Sequence, residues 1–214
     1  MSRKVLYGAL LVVGGACCWF FPLFHIRPLG EGKSKAEQST STTEPAALAA
    51  ELWNGPLRIG ENATEVTQLW GAFTADPAAA QSQHGHQAGL GGTWCFCVRG
   101  HGTIESVENQ YVLLRVAGGM RLVRLELGVI VDNTVRDALA VKASAFANSQ
   151  DFNAISSTLN RRVEEEVIAP NRSRLVPGVV VDFVGCTKVA SEKDLDPLSL
   201  VPIRIEVSDL GSVE

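Results

Sequence analysis

Residues 93–131 read TWCFCVRGHGTIESVENQYVLLRVAGGMRLVRLELGVIV, and this stretch decides the fold. From Thr93 the apolar period is two, which is the signature of a half-buried strand. Trp94, Phe96 and Val98 share one face; Cys95, Cys97 and Arg99 share the other. The strand is expected to bend at Gly100 to Gly102 and to resume through Thr103 to Val107. Tyr111 to Ala117 reads as a second strand. Gly118-Gly119 is a two-residue hairpin signal. Met120 to Val131 reads as a long third strand with Val123, Leu125, Leu127, Val129 and Val131 on one face.

Beyond this stretch the period changes again. Ile155, Leu159, Val163 and Val167 recur every four residues, so a helix is expected, capped by Asp151 or Asn153 and ended by Pro170. Val179 to Val184 and Val201 to Val207 read as two further strands. Three strands, a helix and two strands is the order of a five-stranded OB-type barrel. The predicted class is therefore mainly β with helices (α+β): a small antiparallel OB-like barrel over 92–210, with a helix between its third and fourth strands. Other small helix-capped barrels share that order.

Residues 44–91 read as a helical segment. Thr43 is placed to cap a short helix carrying Pro45, Leu48, Leu52 and Trp53, stopped by Asn54-Gly55-Pro56. Asn62 and Glu65 have capping-box spacing ahead of a stripe formed by Val66, Leu69, Trp70 and Phe73. Asp76-Pro77 breaks that helix, and Gly85 to Gly92 form a glycine-rich loop.

The chain opens Met1-Ser2-Arg3-Lys4, and Val5 to Phe24 then carry no charge. Such a run suffices for about 30 Å of helix, one hydrocarbon thickness. The basic flank predicts a cytoplasmic N-terminus, and Trp19 and Phe24 mark the far interface beyond Val5 and Leu10. Residues 1–29 are thus expected to form a single-pass anchor in the cytoplasmic membrane. Residues 30–43 (GEGKSKAEQSTSTT) form a polar linker, with the remaining domain in the periplasm. Cleavage or lipidation at Cys17 or Cys18 is the competing reading. The residues three before them are Gly14 and Gly15, where a lipobox wants Leu or Val.

A net charge of −4 and the lack of a basic stripe exclude a nucleic-acid partner on electrostatic grounds. No G-x-S-x-G elbow occurs, and no catalytic residue is assigned. Cys95, Cys97, His84, His86 and His101 are zinc-type ligands lying close in sequence. C-x-C on a strand lacks the knuckle of C-x-x-C, so no metal or other cofactor is assigned. The thiols read as buried apolar groups. A disulfide between Cys95 and Cys97 lies near the upper limit of Cα separation, and one to Cys186 is easier to place. Arg136-Asp137, with Asn153, are the candidate ligand-binding residues for a small polar solute, since arginine offers a planar fork of donors. The bland reading of Arg136-Asp137 fixes the turn into the helix, and that of Asn153 caps it. Glu164 to Glu166, after Arg161-Arg162, read as a solvated helix face.

Phe21-Pro22-Leu23-Phe24-His25-Ile26-Arg27-Pro28-Leu29 is similar to an F-P-L-F-x-V-x-P-L motif. Together with Glu51-Leu52-Trp53, Gly92 to Gly100, Gly128-Val129-Ile130-Val131, Thr134 to Leu139, Phe146, Asp151-Phe152-Asn153 and Leu159-Asn160, it resembles the DUF2291 family. Those are predicted periplasmic lipoproteins or membrane-anchored proteins of unknown function. The sequence departs from the family at Asp132-Asn133, where Arg-Gly is frequent, and at Cys95 and Cys97. The resemblance implies an OB-like domain and a setting beside sugar-type ABC uptake systems. A binding or accessory module partnered by transporter components is therefore expected. A structural envelope lipoprotein and an envelope enzyme are the alternatives.

Overall fold

The computed structural model describes residues 44–57, 60, 62–87 and 92–208, all within a unit spanning Thr42–Glu214. The expected anchor (Val5, Leu10, Trp19, Phe24) and linker lie outside the described residues. Among the described residues no helix is long and apolar enough to cross a membrane.

Five strands build the barrel: β3 (Trp94–Val107), β4 (Tyr111–Val116), β5 (Leu122–Glu126), β6 (Val180–Val189) and β7 (Leu198–Val207). They run in the order β3-β4-β5-β7-β6, and β6 returns to β3 to close the ring. All seams are antiparallel except β5–β7. This is the five-stranded Greek-key arrangement expected from the strand order. The strand β3 serves two neighbours, pairing β6 from Trp94 to Thr103 and β4 from Gly102 to Val107. It curls between them. A Cβ on Gly102 would stand 2.6 Å from the Arg115 carbonyl oxygen, so only glycine allows that approach.

Up to Ile104 the even-numbered residues of β3 face inward, and Phe96, Val98 and Ile104 are buried with Val112, Leu114, Val123, Leu125, Val181, Phe183 and Leu200. Two short strands, β1 (Thr64–Glu65) and β2 (His86–Gln87), add to β3. Three helices precede the barrel strands: α1 (Pro45–Leu52), α2 (Val66–Ala75) and α3 (Pro77–His84). Val66, Leu69, Trp70 and Phe73 are buried, as the stripe predicts. Between β5 and β6 lie α4 (Thr134–Ala138) and α5 (Ser149–Arg162), the latter continuing in wider turns through Val163–Ile168 to Ala169–Asn171. Ile155, Leu159, Val163 and Val167 are its buried ridge.

Five expectations need correction. The third strand ends at Glu126, and Val129 and Val131 are 78% and 87% exposed rather than facing the core. Pairing stops because Leu127 and Gly128 both donate their N–H to the Gln110 carbonyl. The next residues find partners on α5: Ile130 donates to Glu164 Oε1 (2.8 Å), and Asn160 Nδ2 donates to the carbonyls of Ile130 (3.0 Å) and Asp132 (2.8 Å). Second, the turn after β4 is not a two-residue hairpin. Gly119 donates to the Val116 carbonyl with Gly118 at φ 74°, and β5 begins only at Leu122. Third, α2 starts at Val66, since Thr64-Glu65 is drawn into β1, so Asn62 caps nothing. Fourth, α5 is capped by Asn148, whose side chain accepts from the Asp151 N–H. The Glu164–Glu166 run is not wholly a solvated face either: besides Glu164 on Ile130, Glu166 accepts from Trp53 Nε1 at 2.8 Å.

Candidate functional site

The corner where α4 meets α5, above the outer face of β6, gathers residues far apart in sequence. Thr134, Val135 and Ala138 bury one side of α4 against β3 and β6, which leaves Arg136 and Asp137 beside Phe152 and Asn153 at the start of α5. Arg136 is only 5% exposed. A buried guanidinium must be paired and hydrogen-bonded. Its Nε and Nη2 donate to Asp137 Oδ1 (3.1 and 2.8 Å). Its Nη1 donates to the Phe152 carbonyl (3.4 Å) and to Asn153 Oδ1 (3.3 Å). The guanidinium plane lies 3.7 Å from the Phe152 ring centroid, a cation–π stack, and Phe152 packs on Phe146 at 5.7 Å. The three expected site residues are thus brought together, with Asn153 an acceptor for Arg136 rather than the helix cap.

Asp137 is shared. Its Oδ2 takes Lys188 Nζ of β6 at 3.1 Å, so one carboxylate bridges two cations and ties α4 to the barrel. A cavity of about 740 Å³ opens over this bridge, lined by Arg136, Asp137, Lys142, Phe152, Lys188 and His86, among others. Ala140, also in the wall, holds φ 54°, a left-handed conformation that ends α4 sharply and turns the chain toward Lys142. Lys142 and Lys188 were not singled out from the sequence. Lys142 follows α4 in a loop of mostly small and apolar residues, and Lys188 is one outward residue of a strand that reaches Asp137 only when the barrel closes.

Beneath α4 lies a thiol cluster. Cys95 and Cys186 are buried and Cys97 is partly so. Burial pushes the Cys95 thiol up to about 11, against the pull of Lys188. Cys186 stands 3.4 Å from Cys97, sulfur to sulfur. The hydrogen bond between the two thiols holds Cys97 down and, with burial, pushes Cys186 well up. Of the histidines, His84 Nδ1 meets Thr64 Oγ1 at 3.3 Å, and His86 pairs with Cys95 across β2 and β3. Among the described residues no three His, Cys, Asp or Glu side chains gather as a metal site.

Strand order, the parallel β5–β7 seam and the helical corner between β5 and β6 define the class as an OB-fold domain with an elaborated connection. The chain is similar to the crystal structure of an OB-fold protein from Thermotoga maritima, with a TM-score of 0.67 at 19% identity, covering 77% of this chain and 98% of that one. No curated protein matches it. A family model described as predicted periplasmic lipoprotein (DUF2291) matches residues 9–206, and the chain belongs to that family.

Proposed function

We propose that the chain is a non-enzymatic binding module of the cell envelope. The apolar run Val5–Phe24 tethers it to the cytoplasmic membrane, and its OB domain stands on the periplasmic side. There the cavity at the α4–α5 corner takes a small anionic sugar derivative on behalf of an ABC-type uptake system. One observation carries the reading: a cavity of about 740 Å³ is lined by three cations, Arg136, Lys142 and Lys188, and by the single carboxylate of Asp137. That size suits one small molecule. The excess positive charge favours an anion, and the guanidinium is held rigid before any ligand arrives, which reduces the ordering cost of binding. Membership of a periplasmic lipoprotein family supports the compartment. The sequence resemblance supplies the uptake-system setting.

Two measurements test this. Thermal shift of the detergent-purified full chain against glucose, glucuronate and glucose 6-phosphate is expected to show stabilisation by the anionic sugars alone. Equal shifts with glucose, or none at all, would contradict the ligand class. Crosslinking in intact cells is expected to capture a permease or solute-binding subunit. Recovery without any transport component would contradict the partner.

A further inference from the structure

The outer face of β3 and β6 carries three thiols, and the register decides which two meet. Cys97 is paired directly with Cys186, and Cys95 with Lys188. Ile104 donates to the Val179 carbonyl (2.9 Å) and accepts from the Gly178 N–H (2.8 Å), so Ile104 turns both backbone groups toward the β6 side. His101, three residues earlier, sends its carbonyl to Ala117 of the other seam. The β3–β6 register then runs unbroken to Trp94–Val189, and alternation makes Cys97–Cys186 a non-hydrogen-bonded pair. Such pairs hold their Cα atoms about 4.5 Å apart with side chains leaning together, inside the span a disulfide needs. The two sulfurs already lie 3.4 Å apart. Cys95 and Cys97, two residues apart on one strand, are about 6.6 Å apart along it.

We propose that Cys97 and Cys186 are a cross-strand disulfide site, closed in the envelope by exchange with an external protein disulfide, while Cys95 stays a free thiol. A cleft of about 200 Å³, lined by Cys97, His84, His86, Leu139 and Val184, gives the oxidant its approach to Cys97. The Cys97 thiolate attacks one sulfur of the external disulfide. That S–S bond breaks and its second sulfur leaves as a thiolate. Cys186 then gives up its proton and attacks the Cys97 sulfur of the mixed disulfide, releasing the oxidant's first sulfur. Two electrons and two protons pass to the oxidant, which ends as a dithiol. Cys97 lines this cleft and is only partly buried, whereas Cys186 is fully buried, which makes Cys97 the first nucleophile. Burial keeps Cys95 protonated and out of the exchange.

The test uses the full chain in its native host, quenched with acid before lysis, unfolded and alkylated without reductant. Digestion and fragment mass analysis are expected to show Cys97 linked to Cys186, the pair two hydrogens lighter than the separate peptides, and Cys95 alkylated. A Cys95→Ser variant is expected to retain the link. Alkylation of both Cys97 and Cys186 in the unreduced wild type would overturn the proposal, as would a Cys95–Cys97 link. Both readings come from the wild-type chain and do not depend on whether Cys97→Ser or Cys186→Ser folds.

Discussion

At the residue scale, Arg136 carries the corner. Four of its contacts use Nε and both terminal nitrogens, and all of them depend on a planar fork. Arg136→Lys keeps the charge but loses the fork and the stack on Phe152. Removing one member of a buried ion pair costs about 3–5 kcal/mol. Arg136→Ala is therefore expected to destabilise by about 3 kcal/mol and Arg136→Lys by somewhat less, read as a fall in the urea midpoint. Unchanged midpoints would refute the clamp. Cys95 gives a pH signature. Its folded value is raised to about 11 from 9.0, so its contribution is full below pH 9 and is lost as pH rises through 11. The reduced protein is expected to lose stability across that window, and Cys95→Ala is expected to flatten the fall. Arg136, Asp137 and Asn153 were legible in the sequence as polar candidates, because a charge pair after a β stretch stands out. Their engagement with one another was not, since 16 and 17 residues separate Arg136 from its partners on α5.

At the element scale, the period-two stretches and the four-residue helical ridge were enough to place five strands and one long helix in OB order. They failed where backbone groups are satisfied by side chains instead of a ladder. Gly128 to Val131 continues an alternating apolar pattern, yet Glu164 and Asn160 of α5 hold it off the sheet. No local signal marks that exchange, because its partners lie some 30 residues away. The motifs of the family resemblance make sense in this light: Gly128–Val131 and Leu159–Asn160 are two halves of one clasp. Glu164→Ala is expected to speed hydrogen exchange at the Ile130 amide at least 10-fold, the loss of about 1.4 kcal/mol or more of local protection. An unaltered rate would mean the clasp contributes nothing. Gly102→Ala tests barrel closure: its Cβ meets backbone, not a yielding side chain, and a cost of about 3 kcal/mol is expected by equilibrium denaturation. A neutral substitution would contradict the close approach of β3 and β4.

At the scale of the whole molecule, the connection between β5 and β6 adds to a bare barrel the cavity on which the proposed binding role rests. Here α4 covers the outer face of β3 and β6, α5 braces the chain leaving β5, and the seam between them opens as the cationic cavity. The net charge of −4 gave no hint of it, because a cluster of three cations is diluted by acidic residues elsewhere. Barrel strands place Lys188, a helix places Arg136 and a loop places Lys142, so the cavity exists only when the domain is folded. Lys142 is exposed and stands outside the Arg136–Asp137–Lys188 bridge, which makes it the residue to probe without disturbing the fold. The decisive measurement is calorimetric titration of glucuronate into the full-length protein and into Lys142→Glu. The wild type is predicted to bind saturably, with affinity weakening as salt is raised and falling at least 10-fold in the variant. Saturable binding that is indifferent to both salt and Lys142→Glu, or no binding by the wild type, would contradict the cavity as the seat of function.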